Sequence, residues 1–272
     1  MIVKVLVENT SVSSKHKSKH GLCLYIQTAK HKILFDLGPN GLFLENARKM
    51  GVNIADIDTV FISHGHVDHA GALSLFLQHN HSAKIYIRES AFDRHYTKVL
   101  GLPINVGLDR SLRGNKQIIF TDSIEVIDDE LTAFSDVKSK ELISRSNRAL
   151  LTEINGKKQI DNFKHEQNLL ITEGGKAVLF AGCAHAGIVN IKARAEQLTN
   201  APLTIIGGFH LHNPISKKHE SKELVDKIAE RLNDGETHYY TCHCTGQWAY
   251  GIMKETLKDN LEHLSTGEEI EI

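Results

Sequence analysis

Four side chains able to bind a metal ion occur within six residues, in Ser63-His64-Gly65-His66-Val67-Asp68-His69. In an extended segment alternate residues point to the same side, so His64 and His66 share a direction. Asp68 and His69 open the next turn and can face back toward the same place. Neutral imidazoles and a carboxylate at this density suit zinc, with manganese or iron as alternatives. The chain as a whole is rich in the same chemistry, with 17 histidines in 272 residues.

Three further histidines stand in the same context, each just beyond an apolar run: His185 after VLFAGCA, His210 after LTIIGGF and His243 after HYYTC. A single histidine of this kind is usually structural. Four strand ends repeating the pattern point instead to one crevice, because residues beyond the carboxyl ends of strands line the ligand site of an α/β sheet. Cys183, Cys242 and Cys244 flank these histidines. A thiolate ligand is one reading; small buried residues packing strand ends is the favoured one. The four cysteines, Cys23 included, fit a reducing compartment rather than a disulfide framework.

The elements that must carry these residues follow from periodicity. Strands are expected at 2–7, 22–27, 32–37, 59–62, 84–88, 117–127, 148–154, 169–172, 177–181, 203–206 and 237–241. Helices are expected at 42–50, 70–79, 187–199, 219–233 and 247–258. The alternation of strand, loop and helix makes this an α/β protein. The stretch 90–166 is more polar and turn-rich and reads as an insertion or cap between two halves of one domain spanning 1–272.

Composition bounds the rest. Lys+Arg total 32 against 33 Asp+Glu, a net charge of −1. That balance offers no basic face for a polyanion, so no nucleic-acid partner is expected. Apolar runs such as Val178–Ala181 fall far short of the roughly 20 residues that span a bilayer, so no membrane association is expected. The opening MIVKVLVENT reads as a strand rather than a secretion signal, which makes the expected location cytoplasmic. There is no phosphate loop, nucleophile elbow or dinucleotide fingerprint. Oligomeric state is not legible.

HGHVDHAG has the form H-x-H-x-D-H and resembles the motif of the metallo-β-lactamase superfamily. The runs LFDLG, ISHGHVDHAGAL, GCAHAGIVNI, IGGFHL and TCHCTG further resemble a branch of metal-dependent hydrolases and dihydropterin ribofuranosyl-aminobenzene phosphate synthase-like proteins. The resemblance spans 2–85 and 169–255. It implies an αββα sandwich with one or two bound ions. His64, His66 and His185 would hold one ion; Asp68, His69 and His243 would hold the second. Asp36 would be the carboxylate that orients the ligands. The superfamily's bridging aspartate has His210 at its place in chain order, so the bridge is open and His210 is a further candidate ligand. His20 and His212 are candidates for substrate contact. The implied function is hydrolysis of a small-molecule ester, lactone or phosphoester by a metal-activated water, with Asp68 orienting the water and taking a proton. A synthase-like transferase and a non-catalytic, metal-containing ligand-binding protein are the alternatives.

Overall fold

A computed structural model describes residues 1–272. Two seven-stranded sheets face each other. The first runs in the order Glu269–Glu271, Ile2–Val7, Cys23–Gln27, Lys32–Phe35, Thr59–Phe61, Lys84–Ile87, Ile118–Phe120. The second runs Leu261–His263, His238–Thr241, Leu203–Gly207, Lys176–Ala181, Gln167–Glu173, Leu131–Ser135, Ile124–Val126. Each is antiparallel on one side and parallel on the other. In the first, Lys32–Phe35 onward is parallel; in the second, Lys176–Ala181 through Leu261–His263 is parallel.

Alternation along the strands assigns the layers. Ile33 and Phe35 face the space between the sheets, whereas Leu34 faces the outer helices; Phe61 and Tyr86 point inward, whereas Val60, Ile85 and Ile87 point outward. Phe35 stacks on Phe61 at 5.6 Å and meets Phe180 of the opposite sheet at 5.7 Å, joining the two inner faces. Helices Leu42–Lys49 and Leu73–His79 cover the first sheet. Ile188–Ala195, Lys222–Leu232 and Gln247–Leu257 cover the second. Lys222–Leu232 illustrates why: Val225, Ile228, Ala229 and Leu232 recur at three- and four-residue spacing and are all buried, and Ser221 Oγ accepts from the Leu224 N–H to start the helix. The expected αββα layering is therefore the observed one.

The middle of the chain is more divided than its polarity suggested. The single strand expected over 117–127 is two strands, Ile118–Phe120 and Ile124–Val126, one in each main sheet. Between 90 and 166 a separate four-stranded antiparallel sheet also forms, in the order Lys157–Ile160, Leu150–Ile154, Arg94–Val99, Leu102–Asn105. Three of its strands lacked the apolar alternation that marks a core strand. No helix is long and apolar enough to cross a membrane.

Candidate metal centre

The parallel strands of both sheets end at one edge, and the chemistry is there. Lys32–Phe35 delivers Asp36, Thr59–Phe61 delivers Ser63 through His69, Lys176–Ala181 delivers Cys183 and His185, Leu203–Gly207 delivers His210, and His238–Thr241 delivers His243. The chain must turn sharply at each end. Asp36, Ala184, His210 and His243 all adopt positive φ, between 52° and 58°, a conformation that costs about 1 kcal/mol or more for a residue with a Cβ. Gly65 lies so close to the Ala91 backbone that a Cβ would collide with its carbonyl.

His64, His66 and His185 pack against one another, with ring centroids 4.6 to 5.2 Å apart. All three are buried, and the Nε2 of each has no hydrogen-bond partner. Their other nitrogens show why. Ser63 spends its hydroxyl hydrogen on Asp36 Oδ2 at 2.7 Å, so its oxygen accepts from His64 Nδ1–H at 2.9 Å. His185 Nδ1–H donates to Asn147 Oδ1 at 3.1 Å, and Asn147 Nδ2 donates back to the His185 carbonyl at 2.8 Å. The Nε2 lone pairs of His64 and His185 are thereby turned inward. Burial, with the neighbouring imidazoles, holds His64 and His185 well below the usual histidine range, and burial does the same for His66. They are neutral, as a metal ligand must be.

The second group is Asp68, His69 and His243. His69 Nδ1–H donates to Asp36 Oδ2 at 2.6 Å. His243 Nδ1–H donates to Asn9 Oδ1 at 3.0 Å, and Asn9 Nδ2 donates to the His243 carbonyl at 2.9 Å. Asn9 thus brackets His243 as Asn147 brackets His185. The remaining atoms form a triangle: His69 Nε2 to His243 Nε2 is 3.1 Å, His243 Nε2 to Asp68 Oδ2 is 3.5 Å, and His69 Nε2 to Asp68 Oδ2 is 3.9 Å. Tetrahedral ligands at zinc bond lengths stand about 3.3 Å apart, so the triangle has the right size for one ion. Against its burial, His69, His20 and His243 hold the Asp68 carboxyl well below the usual carboxylate range.

Asp36 sits beneath both groups, accepting from the Ser63 N–H and hydroxyl and from His69. That placement is the one an orienting carboxylate would need. His20 Nε2 lies 3.1 Å from Asp68 Oδ2, and its ring stacks on His243 at 4.7 Å. His210 is buried against His185, ring centroids 4.3 Å apart, with both ring nitrogens unpartnered; its donor atoms group with Cys183 and Cys244. His212 sits apart, packed on His219 in a two-stranded hairpin, and does not line the cavity above the site. Cys242 is buried between the sheets. Cys183 and Cys244 open into the cavity.

Sequence reasoning missed Asn9, Asn147 and a whole buried group, His95, Asp161 and His165. Asp161 Oδ2 accepts from His95 Nδ1–H at 2.9 Å and from His165 Nε2–H at 3.2 Å. His165 Nδ1 accepts from the N–H of Gly65, between two of the histidines, at 2.9 Å. That bond fixes the hydrogen on Nε2 and closes His165 to a metal. Against its burial, His165 and His95 hold Asp161 below the usual carboxylate range. These residues lie in stretches with no strand–loop signature; only their spacing from one another, four residues for Asp161 and His165, hinted at a pair.

The cavity over the site has a volume of about 280 Å³. Its floor carries His66, Asp68, Cys183, His185, His210 and His243; Val67, Val106, Leu150, Pro214 and Ile215 form apolar walls. Leu150 and Thr97 come from the four-stranded sheet. No lysine or arginine lines it.

Residues 19–140 match the family model of the metallo-beta-lactamase superfamily. The chain is 26% identical over 267 residues to the 7,8-dihydropterin-6-methyl-4-(beta-D-ribofuranosyl)-aminobenzene-5'-phosphate synthase of Methanocaldococcus jannaschii, covering 92% of this chain and 89% of that one. It superposes on a solved metal-dependent hydrolase of the beta-lactamase superfamily with a TM-score of 0.85 and 28% identity, covering 100% of this chain and 99% of the other. Zinc-bound PqqB from Methylobacterium extorquens shares the fold at a TM-score of 0.56 and 14% identity, each chain covered in full at 100%. By the family-model match over residues 19–140, the fold of its whole length and the strand ends that carry its histidines, the chain resembles the metallo-β-lactamase superfamily.

Proposed function

We propose that this protein is a metal-dependent hydrolase of a small-molecule ester, lactone or phosphoester. The observation that carries the reading is the set of buried, unpartnered Nε2 atoms of His64, His66 and His185 beside the Asp68, His69, His243 triangle, under one cavity. The first three residues would hold one ion and the second three another, with His210 in reach as a further donor. Zinc fits a donor set of neutral imidazoles, a carboxylate and a thiol; iron and manganese are the alternatives. A bound ion supplies Lewis-acid charge for a developing oxyanion and lowers the pKa of a water.

The chain's own residues do the rest. Asp68 faces the cavity, placed to orient a water and take its proton, and His20 holds the carboxylate from the solvent side. The apolar walls bind the non-reacting part of the substrate and exclude water from it. With no cationic side chain in the lining, a long polyanion finds no partner there, which favours a small molecule over a nucleic acid.

The test is a panel of esters, lactones and phosphoesters in 18O-water, with protein purified without chelator. Label in the product, loss on chelation and recovery with zinc are expected. A metal-loaded chain inert to the panel argues against hydrolysis and for a ligand-binding role. The likeness to the M. jannaschii synthase across 92% of this chain supports a second reading, a transferase. In that case the product carries a new bond to the acceptor and no label from water.

A further inference from the structure

Resting on the metal-centre reading above, we propose that Cys183 Sγ is the ligand shared by the two metal positions, in place of a bridging carboxylate. Its sulfur belongs to two donor groups of the centre, each with all atoms within 4.8 Å of one another: with His64 and His185, and with His69 and His243. It lies 3.2 Å from His69 Nε2. Asp68, the carboxylate at the cavity floor, groups with His20 and His243 and so serves one position.

His210 occupies the place in chain order where a bridging carboxylate is expected, and it cannot do the same work. A neutral imidazole nitrogen has one in-plane lone pair and binds one cation. A thiolate has three lone pairs and binds two. His210 stands beside Cys183 instead, its two ring nitrogens unpartnered and its side chain over nine-tenths buried. It is a terminal donor next to the sulfur.

The backbone holds the sulfur in place. Gly182 passes so close to Ser63 that a Cβ would collide with its hydroxyl, which brings the following residue against the His64 loop. Ala184 then turns at a φ of 52° to send His185 back to the same point. On metal uptake the S–H bond breaks, the proton leaves to solvent and sulfur–metal bonds form. A soft donor at the centre also biases it toward zinc or iron(II) over manganese.

The full chain loaded with cobalt(II) tests this. Two equivalents bound, with a thiolate-to-cobalt charge-transfer band in the near ultraviolet, are expected. Cys183→Ser should abolish the band and weaken the second equivalent by about 10-fold or more, whereas Cys244→Ser should keep the band. X-ray absorption at the zinc edge of the unaltered chain gives a readout that needs no variant: a sulfur neighbour at about 2.3 Å is expected. Two ions held by a nitrogen and oxygen shell alone overturn the proposal while leaving the metal centre standing. A band that survives Cys183→Ser, or that Cys244→Ser removes, also overturns it. No metal bound by the unaltered chain overturns both this and the reading on which it rests.

Discussion

The Nε2 atoms of His69 and His243 face each other at 3.1 Å, and the hydrogens of both rings are committed elsewhere, to Asp36 and to Asn9. Two lone pairs at that distance repel unless a cation stands between them. His243→Ala should therefore remove one metal equivalent and leave the ion on His64, His66 and His185. Elemental analysis of the variant against the unaltered chain checks this, and loss of both ions at once would sink the two-position assignment.

Without an ion, a proton answers the same need. Against its burial, Asp36 and Asp68 push His69 up to about 9, while burial lowers His243. An incoming ion must displace that proton. Affinity at this position should rise by at least tenfold per pH unit from neutrality to about pH 9. Competition titrations at three pH values and constant ionic strength measure it; an affinity flat across that range contradicts the protonation assignment.

Asn9 and Asn147 each bracket one candidate ligand histidine through its Nδ1 and its carbonyl. Their removal should act on separate ions. Asn147→Ala should weaken the ion on His185 and Asn9→Ala the ion on His243, each by about 10- to 100-fold. Stepwise metal titration of the two variants separates the effects, and identical profiles would show that the brackets do not act locally.

Asp161 accepts from two buried imidazoles while His165 accepts from the Gly65 amide. Asp161→Asn keeps the shape but replaces the carboxylate. It should cost about 1–3 kcal/mol of stability, because buried donors lose a charged acceptor, and should loosen the loop carrying His64 and His66. Denaturant unfolding gives the first quantity and cobalt spectra the second. A stable variant with an unchanged spectrum would reduce the trio to passive packing.

Gly65→Ala puts a methyl group into the Ala91 backbone. The loop must shift, at about 1–3 kcal/mol for overpacking, and metal affinity should fall with it. Gly51→Ala meets nothing within 4 Å but is strained at a φ of 70°, so it should lower stability without touching metal binding. Comparing metal affinity in the two separates a site effect from general destabilisation.

Much of this was legible because it is local. Alternation in KILF and TVF assigns the inner and outer faces of a strand regardless of what packs on them, and the candidate ligands that follow a strand within a few residues, His64 through His69 and then His185 and His243, inherit its direction. The layering and the edge where the histidines collect follow from that. Other features depend on residues far apart in the chain. Asn9 reaches His243 across 234 residues, Cys183 reaches His69 across 114, and His165 reaches Gly65 across 100. A hydrogen bond or shared donor leaves no period in a sequence, and nothing in GCAH or FKHEQ marks which distant loop each faces. The residue types and strand ends told what chemistry the chain carries; only the closing of one sheet on the other decided which side chains share it, because both halves must bring their strand ends to the same edge before those atoms meet.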